Sequence, residues 1–212
     1  MSEKYEFTQD WFHWAPPVWE KLIPLLPARK SFLDLGSFEG RSAVWVVENM
    51  MEDDGGIVCV DTWDGGEEHT EATLAGAEKR FDRNVNLAME KFPNRIVKKH
   101  KSPTYHFLAT HPVISSDPFD FIYIDASHTA KDVLTDACMA WPLLKAGGVM
   151  VFDDYLWGQP RDVLHRPKIA VDAFLTMFAE ELKIAHMGYQ VAVKKNADER
   201  NAGVHKSPEE QT

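Results

Sequence analysis

FLDLGSFEGRSA, residues 32–43, opens as a short apolar run, carries an aspartate at its third position, and turns on a glycine. A helix-forming segment begins near Gly40. The stretch reads as strand, glycine turn, helix. Glycines at such a turn let the backbone approach a ligand closely, and the start of the following helix offers free N–H groups. The spacing is G-x-x-x-G rather than G-x-G-x-x-G, so a dinucleotide pyrophosphate cradle is not indicated and an NAD-linked oxidoreductase is disfavoured. On its own the turn is common. What surrounds it decides the fold.

Outward from this stretch, short β-type runs alternate with longer helical ones. Residues 31–35 (SFLDL) predict a first strand and about 41–51 a helix. Residues 57–60 (IVCV) predict a second strand ending at Asp61. A helix-compatible stretch over 67–91 follows, with Leu74, Ala77, Phe81, Val85 and Ala88 on one face. Residues 95–98 (RIVK) are a weaker third strand and 119–124 (FDFIYI) a strong fourth. A helix over 129–144 places Val133, Ala137, Ala140 and Leu144 together, with Ala146-Gly147-Gly148 as its stop. Strand five is 149–152 (VMVF), an irregular loop spans 155–167, and a helix covers 168–181. Residues 182–186 and 189–194, separated by Met187-Gly188, predict a closing hairpin. The alternation implies an α/β fold: a seven-stranded, mostly parallel sheet with helices on both faces and a reversed last strand. Three segments follow: an N-terminal helical cap over 1–30, with a helix at 11–26 near the sheet's upper edge; the main domain over 31–196; and a polar, mobile tail over 197–212.

The 212 residues suffice for one substantial core. No stretch approaches the roughly 18 apolar residues of a membrane helix, and MSEKYEFTQDWFHW lacks a basic-then-apolar leader pattern. With only Cys59 and Cys138, both in apolar segments, there is no disulfide framework, and a cytoplasmic location is expected. The formal charge of −10 repels a phosphate backbone, and the basic run Lys98–Lys101 reads as a solvated strand end; nucleic acid and membrane are not expected partners.

Asp61, at the end of the second strand, can accept two hydrogen bonds from a ribose diol, or can simply cap the next helix. With the glycine turn it points to a nucleoside-bearing ligand over the carboxyl ends of strands one and two. Trp63 can shelter a base there, or be core. The succession DLGSFEGRS (34–42), Asp61, FDFIYIDASH (119–128) and LLKAGGVMVFDDY (143–155) resembles a class I S-adenosylmethionine-dependent methyltransferase over roughly residues 31–155. More narrowly it resembles methyltransferase family 24, a small bacterial and phage group with an Asp-Asp-Tyr strand end, related to macrocin-type and catechol-type O-methyltransferases. The resemblance implies that Asp34, Gly36, Ser37 and Gly40 hold the methionine part of the cofactor and Ser42 its carboxylate. It also implies that Asp61, with Thr62 and Trp63, holds the nucleoside, and that Ser102 lies against the adenine.

Asp125 ends the fourth strand, and Asp153 and Asp154 the fifth, so three carboxylates meet at one sheet edge. Such groups repel unless a cation or arginines relieve them, or helix caps absorb them. All-oxygen ligands favour Mg²⁺, with Mn²⁺ or Ca²⁺ as alternatives. The resemblance implies the metal set Asp125, Asp153 and Asp154, and a catalytic lysine three residues beyond the first ligand, a position held here by His128. An imidazole can take a proton from an acceptor hydroxyl near neutral pH, can ligate metal, or can merely bond a carboxylate. Asp125 and His128 are therefore the candidate catalytic pair. Trp11, Trp14, Tyr155 and Trp157 flank this edge, as acceptor walls or as ordinary packing; His69, His100, His106, His111, His165 and His186 show no ligand pairing. The resulting expectation is metal-assisted O-methylation of a small hydroxylated molecule, a sugar or a phenol. Competing readings are an N- or macromolecule-directed methyltransferase and a catalytically silent cofactor-binding protein. A homodimer is left open.

Overall fold

The computed structural model describes residues 4–66, 69–110, 118–158 and 161–197. The tail expected to be mobile lies outside the described residues from 198 onward, as does His111. Seven strands form one sheet: β1 (Ser31–Leu35), β2 (Gly56–Asp61), β3 (Ile96–Lys101), β4 (Phe119–Ile124), β5 (Leu144–Phe152), β6 (Leu182–Met187) and β7 (Val191–Lys195). Their order is β3-β2-β1-β4-β5-β7-β6. The first five are mutually parallel, while β7 runs antiparallel to β5 and to β6. The chain moves outward from β1 to β3 and then reverses to β4. The switch between β1 and β4 opens a crevice above their carboxyl ends, where open α/β sheets take ligands.

Side-chain alternation along the strands feeds two cores. Phe121 and Tyr123 face α1 (Ala15–Leu22), α2 (Arg41–Trp45) and α4 (Ala77–Lys91), where Trp19, Val44 and Phe81 are buried. Ile122 and Ile124 face α5 (Thr104–Thr110), α6 (Ala130–Ala140) and α7 (Lys168–Met177), where Phe107, Val133 and Phe174 are buried. Every residue of β4 is buried, which explains its unbroken apolar run. Its one acid inside the strand, Asp120, is fully satisfied: Oδ2 accepts the Lys30 and Ser31 N–H groups and Oδ1 meets Lys145 Nζ at 2.8 Å. Among the described residues no helix is long and apolar enough to cross a membrane. Both cysteines are free thiols.

Four expectations are corrected. The helix read over 129–144 stops at Ala140: Trp141-Pro142-Leu143 form a single 3₁₀ turn, because Pro142 has no N–H with which to continue the ladder. Leu144 then opens β5, and Ala146-Gly147-Gly148 bulge out of the strand instead of capping a helix; pairing jumps from Phe119–Leu144 to Phe121–Val149. The stretch over 67–91 is two helices, α3 (Glu71–Leu74), capped reciprocally by Thr70 and Thr73, and α4, separated by left-handed Gly76. The expected N-terminal helix shortens to α1 and a 3₁₀ turn, and α1 lies across the middle of the sheet, with Trp19 edge-on to Phe121 and Tyr123. Beyond these, α5 has no counterpart among the predicted elements; its Thr-, Tyr- and His-containing segment has weak helix propensity and is held by packing on α6.

Candidate active site

The carboxyl ends of β1, β2, β4 and β5 open into one cavity of about 620 Å³. Gly36, Asp61, Thr62, Trp63, Ser102, Asp125, His128, Asp153 and Asp154 all line it. Asp34, Ser37, Gly40 and Ser42 do not. Gly36, Ser37, Ser42 and Asp125 line a second hollow of about 70 Å³ that shares Trp11, Gly36, Phe38 and Asp125 with the first.

The glycine turn is set by close approach. Gly36 has φ +94°, and its N–H donates to Val60 O. A Cβ placed on it would lie 2.0 Å from the carbonyl oxygen of Asp125. Beneath the turn, Asp34 is buried; Ser42 Oγ donates to its Oδ2 at 2.8 Å, and its Oδ1 has no partner among the described residues. Burial, partly offset by Ser42 and Ser37, pushes this carboxyl up to about 6. Asp61 braces the turn from β2: Oδ2 accepts the Phe38 N–H at 2.8 Å and Oδ1 the Trp63 N–H at 2.7 Å. Phe38 and Trp63 both sit at positive φ, so Asp61 holds two strained turns and still keeps a second lone pair on each oxygen. Trp63 is mostly core, packed edge-on to Phe81, with Nε1 donating to Phe38 O.

At the other end, Asp125, His128 and Asp154 bring one ligand atom each within 4.8 Å of one another. His128 Nε2 lies 2.7 Å from Asp154 Oδ2, and its ring lies against Trp157. Asp154 is held at φ +56°, and its charge, after burial, helps to raise the Tyr189 hydroxyl. Asp153 points elsewhere. Its Oδ2 accepts Gln190 Nε2 at 3.0 Å and the Tyr123 hydroxyl, and its Oδ1 accepts the Asp154 N–H. The carboxylates that converge on His128 are thus Asp125 and Asp154; Asp153 also lines the cavity but is not in this cluster. Tyr123 also lies 3.0 Å from Asp125 Oδ2. One hydroxyl proton is thus shared between two carboxylates. Burial pushes Asp125 well above the usual carboxylate range, and the charges of Asp153 and Asp154 push it further. Burial also lifts Asp153, to about 6.

Of the four flanking aromatics, Trp11, Trp14 and Trp157 line the cavity; Tyr155 does not, its hydroxyl going to Asp172. Sequence reasoning missed His69, Tyr123, Tyr189 and Gln190. Tyr123 was findable, since two residues before Asp125 in a strand means the same face, and a buried hydroxyl needs a partner. Gln190 and Tyr189 come from the reversed hairpin, and nothing local marks them.

The N-terminal segment that carries Trp11 and Trp14 is locked by Glu39, inside the glycine turn and 2% exposed. Its carboxylate accepts Thr8 N–H at 2.7 Å, Thr8 Oγ1 at 2.6 Å and Arg80 Nε at 2.6 Å. Glu39→Ala leaves Arg80 and Thr8 without their acceptor and is expected to cost about 3 kcal/mol of stability, read by urea denaturation. Within the basic run, Lys99 pairs with Glu78 and Asp82, and Lys101 with Glu78.

A methyltransferase domain family model matches residues 33–155, more than half of the chain, and spans the glycine turn, Asp61 and both acidic strand ends. The chain belongs to this methyltransferase family. It is a class I, S-adenosylmethionine-dependent methyltransferase. No curated protein sequence matches it. Among solved structures, the methyltransferase resembles the O-methyltransferase TomG of Streptomyces achromogenes in complex with S-adenosylmethionine, at 19% identity and TM-score 0.57, over 85% of this chain and 77% of that one. It also resembles a putative rRNA methylase of Clostridium thermocellum, at 12% identity and TM-score 0.60, over 85% and 96%. A third is MycE of the mycinamycin biosynthetic pathway, in complex with Mg, S-adenosylhomocysteine and mycinamycin VI, at 16% identity and TM-score 0.57, over 90% of this chain and 51% of that one. At these identities the likeness establishes the fold.

Proposed function

We propose that this methyltransferase moves a methyl group from S-adenosylmethionine to a hydroxyl of a small polyhydroxylated molecule, a sugar or a phenol, with the help of a divalent cation. The observation that carries the reading is the convergence of Asp125, His128 and Asp154 at one end of a cavity whose other walls are the glycine turn and Asp61.

The residues fit the cofactor. The backbone at Gly36 leaves no room for a side chain, Asp34 keeps a buried orphan oxygen suited to an ammonium, and Asp61 retains lone pairs for a diol. Bound there, S-adenosylmethionine supplies an electrophilic methyl on a sulfonium that departs as a neutral thioether. The residues also fit a divalent cation, which Asp125 and Asp154 would hold and which supplies Lewis-acid polarisation of the acceptor hydroxyl. His128, oriented by Asp154 at 2.7 Å and by Trp157, accepts the hydroxyl proton as general base. Asp153 acts behind this pair, fixing Tyr123 and Gln190. Trp14, Trp157 and Tyr189 line the acceptor end. The net charge of −10 favours a small acceptor over RNA.

Isothermal titration tests the reading. S-adenosylhomocysteine is expected to bind with micromolar-scale affinity, and Mg²⁺ to bind separately and be stripped by chelator. NADH binding in place of the nucleoside thioether would overturn the cofactor assignment, and methyl transfer unimpaired in chelator would remove the cation.

A further inference from the structure

One wall of the cavity belongs neither to the sheet nor to its helices. Residues 5–14 form a strap ahead of α1 that brings Trp11 and Trp14 to the cavity. Its main chain is held at two points, each by a buried polar side chain. Asn84 of α4 accepts the Glu6 N–H at 2.8 Å, and its Nδ2 donates to Glu6 O and to Glu39 O, both at 2.9 Å. Glu39 accepts the Thr8 N–H on Oε2 and the Thr8 hydroxyl on Oε1. Beyond these anchors, the Trp11 ring stacks on Phe38 of the glycine turn, with centroids 5.5 Å apart and planes 22° from parallel.

Glu39 reaches the opposite wall as well. Its Oε1 accepts Arg80 Nε, and Arg80 spends its other nitrogens on Ala75 O at 2.7 Å and Thr73 O at 3.1 Å. Those carbonyls end α3, whose Leu74 lines the cavity. The turn between the two walls is itself the cofactor's proposed seat: Gly36 precedes Glu39 by three residues, and the Phe38 N–H lies on Asp61 Oδ2. A ligand lodged against Gly36 and Asp61 restrains Phe38 and Glu39, and with them the strap. Coupling of this kind is reciprocal, so a docked strap tightens the ligand by the factor with which the ligand tightens the strap.

We propose that Glu39 is a positioning residue for methyl transfer: it couples filling of the cofactor site to docking of residues 5–14, so that bound S-adenosylmethionine sets Trp14 in the wall the acceptor meets. The inference rests on the S-adenosylmethionine reading. Glu39 acts through the strap, and the carboxylate is required because both of its oxygens are engaged. A glutamine in its place keeps one acceptor oxygen, which the charge of Arg80 draws to the Oε1 side, and turns an NH₂ toward the Thr8 N–H, donor against donor.

Hydrogen exchange of the full chain, with and without saturating S-adenosylhomocysteine, tests the coupling. In the wild-type protein the ligand is expected to slow exchange across residues 5–14 about tenfold, within the usual range of coupling between sites. Glu39→Gln is expected to cut that response below about threefold and to weaken S-adenosylhomocysteine about tenfold in isothermal titration. A merely structural role would lower the melting temperature and leave the ligand's effect on the strap intact. Thr8→Pro reaches the same latch from the exposed side. It removes both Thr8 donors, keeps the Glu39–Arg80 pair, and is expected to give the same loss, so the test survives a Glu39 variant that fails to fold. A full response of the strap in either variant overturns the proposal. If the wild-type protein binds no S-adenosylhomocysteine, the cofactor reading falls and takes this inference with it; binding without a strap response sinks the inference alone.

Discussion

Asp125→Asn combined with Asp154→Asn is expected to reduce methyl transfer about a thousandfold and to abolish Mg²⁺ binding, with S-adenosylhomocysteine affinity changed only slightly. The loss corresponds to several kcal/mol of charge stabilisation at the reacting oxygen, at about 1.4 kcal/mol per factor of ten. The two carboxylates and His128 offer ligand atoms within 4.8 Å of one another, and burial together with the charges of Asp153 and Asp154 pushes Asp125 well above the usual carboxylate range. In the metal-free protein this crowding is repulsive. The double variant is therefore expected to melt no lower than the wild type without Mg²⁺, and to lose the upward shift that Mg²⁺ gives the wild type. Melting curves with and without chelator read this independently of turnover. A Mg²⁺-dependent shift that survives both substitutions would show that the cation binds elsewhere.

Gly36→Ala is expected to destroy the site outright, at a cost above about 4 kcal/mol in denaturant unfolding. The added Cβ would meet Asp125 O at 2.0 Å, Asp125 C at 2.4 Å and Ala126 Cα at 2.7 Å, all backbone, at a φ of +94°. Neither β1 nor the β4 end can retreat, because Asp125 N–H is bonded to Leu35 O and Gly36 N–H to Val60 O. Gly40→Ala serves as the control. Its φ of +78° is also left-handed, but its Cβ would approach only side chains, the Phe81 ring at 3.0 Å and Val85 Cγ1 at 3.4 Å, and side chains can yield. A cost of about 1 to 2 kcal/mol with cofactor binding retained is expected there. Equal costs at the two glycines would mean that backbone conformation, and not the approach of β4, constrains Gly36.

The two glycines look alike in the sequence, and that is where its resolution ended. The apolar runs with strand periodicity, the glycine turn, and the acids at strand ends were all legible, because local pattern and strand direction suffice to predict a parallel sheet with its chemistry at one edge. Asp34, Asp61, Asp125 and Asp154 could be named for the same reason. The helix read through Leu144 failed because periodicity does not register the N–H that Pro142 lacks, and α5 was missed because packing on α6, not propensity, holds it.

What the amino-acid sequence determined by itself was the sheet, its order of acidic strand ends, and the class of ligand such an edge takes. Only the tertiary structure decided which carboxylate reaches His128. Asp153 and Asp154 are neighbours in the chain, yet Gln190 on the reversed hairpin and Tyr123 on β4 hold Asp153 inward, while Asp154 turns out toward His128 at 2.7 Å. The Thr104–Asp136 hydrogen bond was equally silent in the sequence: it depends on α6 lying against α5 and joins residues 32 positions apart. Hydrogen bonds across such separations are set by how the elements pack, and no local pattern encodes them.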